Sequence, residues 1–76
     1  GRGVAEDDQE AVRWYRLAAD QGNAYAQLNL GLMYDNGRGV AEDDQEAVRW
    51  YRLAADQGDA HGASDARDAL ATRGKK

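Results

Sequence analysis

The stretch GRGVAEDDQEAVRWYRLAADQGDA, from Gly37 to Ala60, decides the fold because the chain contains it twice. Gly1 to Ala24 reads GRGVAEDDQEAVRWYRLAADQGNA. The two stretches lie 36 residues apart and agree at 23 of 24 positions, with Asn23 against Asp59 the exception. A period of that length marks a stack of small helical units, none of which can bury its apolar face alone. The identity extends to positions with no packing duty, such as Gln9 with Gln45 and Arg16 with Arg52. Packing does not demand this; recent duplication or deliberate engineering does.

Within the stretch the signals are those of one amphipathic helix. Asp43-Asp44-Gln45-Glu46 has the spacing of a capping box, with the cap at Asp43 and Glu46 three residues on. Ala47, Val48, Trp50, Tyr51, Ala54 and Ala55 then recur at helical spacing, and Gly58 supplies a stop. The first copy predicts the same: a cap at Asp7, Glu10 as its partner, and a stripe of Ala11, Val12, Trp14, Tyr15, Ala18 and Ala19 ending at Gly22. The GRGV ahead of each copy reads as a turn whose glycines accept positive φ and whose valine tucks under the helix. A phosphate-cradling loop is disfavoured, because no strand precedes it and acids crowd the next turn. Capping accounts for Asp7 and Asp8 without a metal ion or acid–base pair.

Between the copies, Asn23 caps a helix reaching about Asp35. Ala26, Leu30, Met33 and Tyr34 give one stripe, and Ala24, Leu28 and Leu32 widen it, so several neighbours should contact this helix. Gly31 at its centre costs about 1 kcal/mol against alanine, which points to a close approach by another helix. After the second copy, Asp59 can cap a thinner helix through Ala60, Ala63, Ala66, Ala69 and Leu70, polar elsewhere, as a terminal capping helix should be. The chain is thus expected to be all-α, with helices at about Asp7–Gln21, Asn23–Asp35, Asp43–Gln57 and Asp59–Arg73. Short connections make neighbours antiparallel. Residues 1–22 read as the second half of a repeat, 23–58 as a complete one, and 59–74 as a degenerate capping helix. Together they form one domain, with residues 75–76 frayed.

Ala26, Leu30-Gly31, Tyr34, Gly37, Gly39-Val40, Asp43, Ala47, Trp50-Tyr51, Ala54-Ala55 and Gly58 together resemble the Sel1-like repeat, a 36-residue cousin of the tetratricopeptide repeat. The last segment matches poorly: Gly62, Ala66, Arg67 and Leu70 stand where Ala26, Leu30, Gly31 and Tyr34 stood. The resemblance implies an α-solenoid of antiparallel helix pairs that works as a scaffold or adaptor for protein–protein interaction. Some members of that family are stapled by disulfides; this chain has no cysteine.

Composition removes other classes. The net charge of −4 argues against nucleic acid, which needs a basic stripe to displace counterions. No cysteine and a single histidine rule out thiolate or histidine-rich metal sites, and no cofactor is expected. No apolar run reaches membrane length. His61 and Ser64 lie three apart in the weakest helix, with nothing to activate them, so no enzyme is expected. The pairs Trp14-Tyr15 and Trp50-Tyr51 are spaced for core packing rather than ligand stacking.

Two surfaces remain as candidates. By the tetratricopeptide-like resemblance, the helix from Asn23 lines a concave groove with Tyr25, Leu28, Asn29, Leu32 and Asn36, where Asn29 would hold a peptide backbone. The competing expectation packs Leu28 and Leu32 on the final helix and leaves Asn29 solvated. The second surface is the stripe of Ala11, Trp14, Tyr15 and Ala18, which lacks a covering helix on one side and is expected to drive homo-oligomerisation. The two function classes are therefore an adaptor that binds a peptide or protein, and a structural solenoid segment, duplicated or engineered, that stacks with its own kind.

Overall fold

The computed structural model describes the backbone over residues 4–58 and 62–74 and side chains over 8–58 and 62–72. Among these are four helices and no strand: α1 (Val4–Asp20), α2 (Ala24–Asn36), α3 (Asp44–Ala55) and α4 (Ala63–Gly74). Successive helices pack on one another, and α2 also touches α4. They run antiparallel. Gln27 near the start of α2 bonds Ala19 near the end of α1, whereas Arg38 just beyond α2 reaches Asp8 early in α1. Likewise Gln57, beyond α3, meets Gln27, while Asp43, ahead of α3, meets Tyr34.

The core forms on both sides of α2. One cluster joins Val12 and Ala19 of α1 to Ala26, Leu30 and Met33 of α2 and Trp50 of α3. The other joins Ala24 and Leu28 of α2 to Ala47, Tyr51 and Ala54 of α3 and Ala66 of α4. This position between neighbours explains why α2 is apolar around so much of its circumference. Gly31 serves the second cluster. A Cβ there would lie 2.5 Å from Cε1 of Tyr51 and 3.2 Å from the carbonyl oxygen of Ala47. Without it, the tyrosine ring lies flush on α2, fully buried, and its hydroxyl donates to Oδ2 of Asp35 at 3.0 Å. Burial of a ring of that size is worth more than the helix propensity lost at the glycine.

A small polar network ties three helices at one end. Nε2 of the buried Gln27 donates to the Ala19 carbonyl at 3.0 Å, and Nε2 of Gln57 donates to Oε1 of Gln27 at 3.0 Å and to the Gly22 carbonyl at 2.7 Å. At the other end, the turn after α2 is held by the carbonyls of α2 itself. Gly37, at φ 67°, donates its amide to Met33, and Arg38 does so at 2.9 Å. The Asp43 amide donates to the Tyr34 carbonyl at 2.9 Å, and Val40 packs against the first cluster. Asp43 then caps α3, its Oδ1 accepting from the Glu46 amide at 3.1 Å. The return bond of a full capping box is not made: the Asp43 amide donates to Tyr34 instead, and the Glu46 carboxylate pairs with Arg49.

Two helix starts differ from expectation. α1 begins at Val4, so Asp7 lies inside the helix rather than capping it. In the second copy, Tyr34 and Met33 pin the turn and so fix where α3 can begin. In the first copy the acid-rich VAEDDQ segment is itself helical, and its acids fall near the N-terminus, where the helix dipole favours them. α4 begins at Ala63, not Asp59. Gly62, at φ 93°, turns the chain where a side chain would strike Tyr25, its Cβ coming 2.9 Å from Cα of Tyr25. The cap expected at Asp59 lies outside the described residues.

Candidate functional site

A cleft of about 280 Å³ opens between the first two helices. α1 supplies Asp8, Ala11 and Tyr15; α2 supplies Asn29, Leu32, Met33 and Asn36; Arg38 reaches over from the turn. Asn29 and Asn36 are one wall's polar groups. Nδ2 of Asn29 donates to the Tyr25 carbonyl and Nδ2 of Asn36 to the Leu32 carbonyl, each at 2.9 Å. These bonds to the preceding helical turn hold both side chains in place. At one end of the cleft, Nη2 of Arg38 pairs with Oδ1 of Asp8 at 3.0 Å, fastening the turn to α1. Gly39 backs this contact: its Cβ would fall 2.6 Å from the Asp8 carbonyl oxygen. A shallower depression on the outer face of α3, between Arg49, Arg52 and Leu53, is walled by one helix only.

The cleft gathers three of the five residues expected to line a groove: Asn29, Leu32 and Asn36. Leu28 is a correction. It is 5% exposed and belongs to the second core cluster with Ala66 of α4. α4 crosses the N-terminal half of α2 and covers Leu28, whereas one turn further Leu32 is clear of α4 and 39% exposed. Tyr25 is exposed but stands beside Gly62, away from the cleft. Asp8, Met33 and Arg38 were not expected in a site. Nothing local marks them, since Asp8 and Arg38 lie 30 residues apart and meet only through the fold.

The α1 stripe also divides. Trp14 is 64% exposed, whereas Ala11, Tyr15 and Ala18 pack in part against the first cluster. Their copies on α3 are better covered: Trp50 is 5% exposed, and Ala47, Tyr51 and Ala54 are wholly buried. Leu17 and its copy Leu53 are exposed alike, so they point outward in either setting. His61 lies outside the described residues, and Ser64 is exposed at the start of α4. No helix among the described residues is long and apolar enough to cross a membrane.

The family model described as Sel1 repeat matches the chain at residues 1–23 and again at 24–59. The junction between the two matches falls between the Asn23 cap and the first residue of α2, so the second match spans α2 and α3 and the first spans α1. Neither a curated protein nor a solved structure matches the chain.

Proposed function

The chain belongs to the Sel1 repeat family, whose units are helical, non-enzymatic and generally mediate protein–protein interaction, and on that premise we propose that the cleft between α1 and α2 is where it receives a segment of its partner. The observation that carries this reading is the lining. Two helices and a turn converge on one concave surface, which combines apolar side chains (Ala11, Leu32, Met33) with amides already fixed by the helix (Asn29, Asn36). Such a mixture suits a peptide. The apolar groups supply burial, and the fixed polar groups set orientation at little entropic cost. Tyr15 adds an aromatic anchor of the kind that dominates interface energies.

Selection from displayed random peptides against the full chain tests this, repeated on Leu32→Glu and Asn29→Ala. Enriched peptides should bind Leu32→Glu at least about tenfold more weakly, and Asn29→Ala more weakly by a smaller factor. Enriched peptides that bind Leu32→Glu as well as the parent would place the interaction elsewhere.

A further inference from the structure

We propose that Asn36, with Gly37 after it, is a modification site: the chain itself converts this asparagine into aspartate and isoaspartate, and the closed end of α2 sets the pace.

The chemistry needs only these two residues and water. The Gly37 nitrogen gives up its proton and forms a bond to Cγ of Asn36. The bond from Cγ to Nδ2 breaks, and ammonia leaves with a proton taken from water. The product is a five-membered cyclic imide of Cα, Cβ, Cγ, the backbone carbonyl carbon and the Gly37 nitrogen. Water then opens the ring. Attack at Cγ leaves aspartate in an ordinary backbone; attack at the backbone carbonyl leaves isoaspartate, with the chain running through the side chain. The chain has three asparagines, followed by Ala24, Leu30 and Gly37. Only glycine leaves the attacking nitrogen without a neighbouring Cβ.

The fold restrains both reacting groups. The Gly37 amide donates its proton to the Met33 carbonyl, so the nitrogen is not free to lose it. Nδ2 of Asn36 donates to the Leu32 carbonyl at 2.9 Å, which turns Cγ back along the helix. Asn36 itself is exposed to the water that completes the reaction. The last turn of α2 must therefore open before the ring can close, and opening of this kind is local rather than global. What opposes opening is modest: the exposed Arg38–Asp8 pair at 3.0 Å and the bond from the Asp43 amide to Tyr34 at 2.9 Å.

Either product alters its surroundings. A carboxylate cannot donate to the Leu32 carbonyl, and it places negative charge at the C-terminal end of α2, where the helix dipole disfavours it. Isoaspartate adds a carbon to the backbone ahead of the turn. Asn36 also lines the cleft with Asn29 and Leu32, so the same event changes the surface offered to a partner. That effect rests on reading the cleft as a binding site; the conversion does not.

The test incubates the full chain at mildly alkaline pH, folded and in guanidinium chloride. Trypsin then releases residues 17–38, which hold all three asparagines, and fragment masses locate the change. Asn36 should yield both aspartate and isoaspartate while Asn23 and Asn29 stay intact. The folded chain should convert at least about tenfold more slowly than the unfolded one, as for a segment that must open first. Asp8→Ala should raise the folded rate by up to about fivefold, the worth of an exposed ion pair, and leave the unfolded rate unchanged. Gly37→Ala strains the turn at φ 67° and should nevertheless slow conversion several-fold in both states. Equal rates folded and unfolded would remove α2 as the gate. An intact Asn36 in the folded chain, long after the unfolded sample is exhausted, would remove the site from the native molecule. Conversion of Asn23 or Asn29 at the same pace, or a Gly37→Ala chain as fast as the parent, would overturn the role of Gly37. Peptides selected on the parent cleft should bind Asn36→Asp more weakly. Unchanged affinity, with conversion observed, would leave the chemistry standing and end only its effect on the cleft.

Discussion

α1 and α3 share their sequence over the whole apolar stripe and have different surroundings. Trp50 is buried and Trp14 is not; Tyr51 is sealed by α2 and Tyr15 lines an open cleft; α3 starts at a pinned cap and α1 starts further upstream. Since the residues are the same, the differences come from the neighbours. A helix of this kind brings a pattern of apolar side chains, and the helices packed on it decide which are buried. In a stack of repeats much of the stability therefore resides in the contacts between units.

The sharpest way to break this comparison is to make one substitution in both copies. Trp50→Ala is expected to cost about 3–5 kcal/mol in urea melts, as for a large core aromatic. Trp14→Ala should stay within about 0.5 kcal/mol, as for an exposed site. Similar losses would mean that α1 is covered in solution by something the isolated chain supplies.

Gly31→Leu comes next. The side chain would drive into Tyr51, so a loss of about 1–3 kcal/mol is expected, whereas helix propensity alone predicts a gain. Arg67→Leu, at the matching register of α4 where the existing side chain is exposed, should cost less than about 1 kcal/mol, since it loses only the exposed bond from its guanidinium to the Gly58 carbonyl. A rise in melting temperature for Gly31→Leu would remove the close helix approach from the account.

The caps give the smallest effect. Asp43→Ala should cost about 0.5–2 kcal/mol, because the Glu46 amide loses its acceptor. Asp7→Ala should cost less, since α1 already runs through that position. Asp44→Ala should also cost less than Asp43→Ala. Equal effects for Asp7 and Asp43 would show that the first copy caps where the second does.

The number and order of the helices were legible because each is written locally: a capping residue, a stripe at helical spacing and a glycine stop. Gly31 was legible for the same reason, as a residue that costs helix stability and must be repaid by contact. What was not legible depends on partners distant in sequence. The start of α3 depends on the carbonyls of Met33 and Tyr34, which hold the turn ahead of it and lie outside the repeated stretch. Leu28 and Leu32 occupy one stripe, four residues apart, and only the path of α4 makes one core and the other cleft. For a helix apolar on most sides, periodicity cannot name the outward face. Asp8 and Arg38 entered the site because the turn folds back onto α1, which no local pattern records.

The register of α4 has a consequence for the distance at which it can stand from an aromatic neighbour. At the registers of Gly31 and Asp35 it carries Arg67 and Ala71, so it has neither the gap that admits the Tyr51 ring to α2 nor the acceptor that holds the ring's hydroxyl. The spacing set between α2 and α3 is therefore one that α4 cannot repeat with a tyrosine of its own.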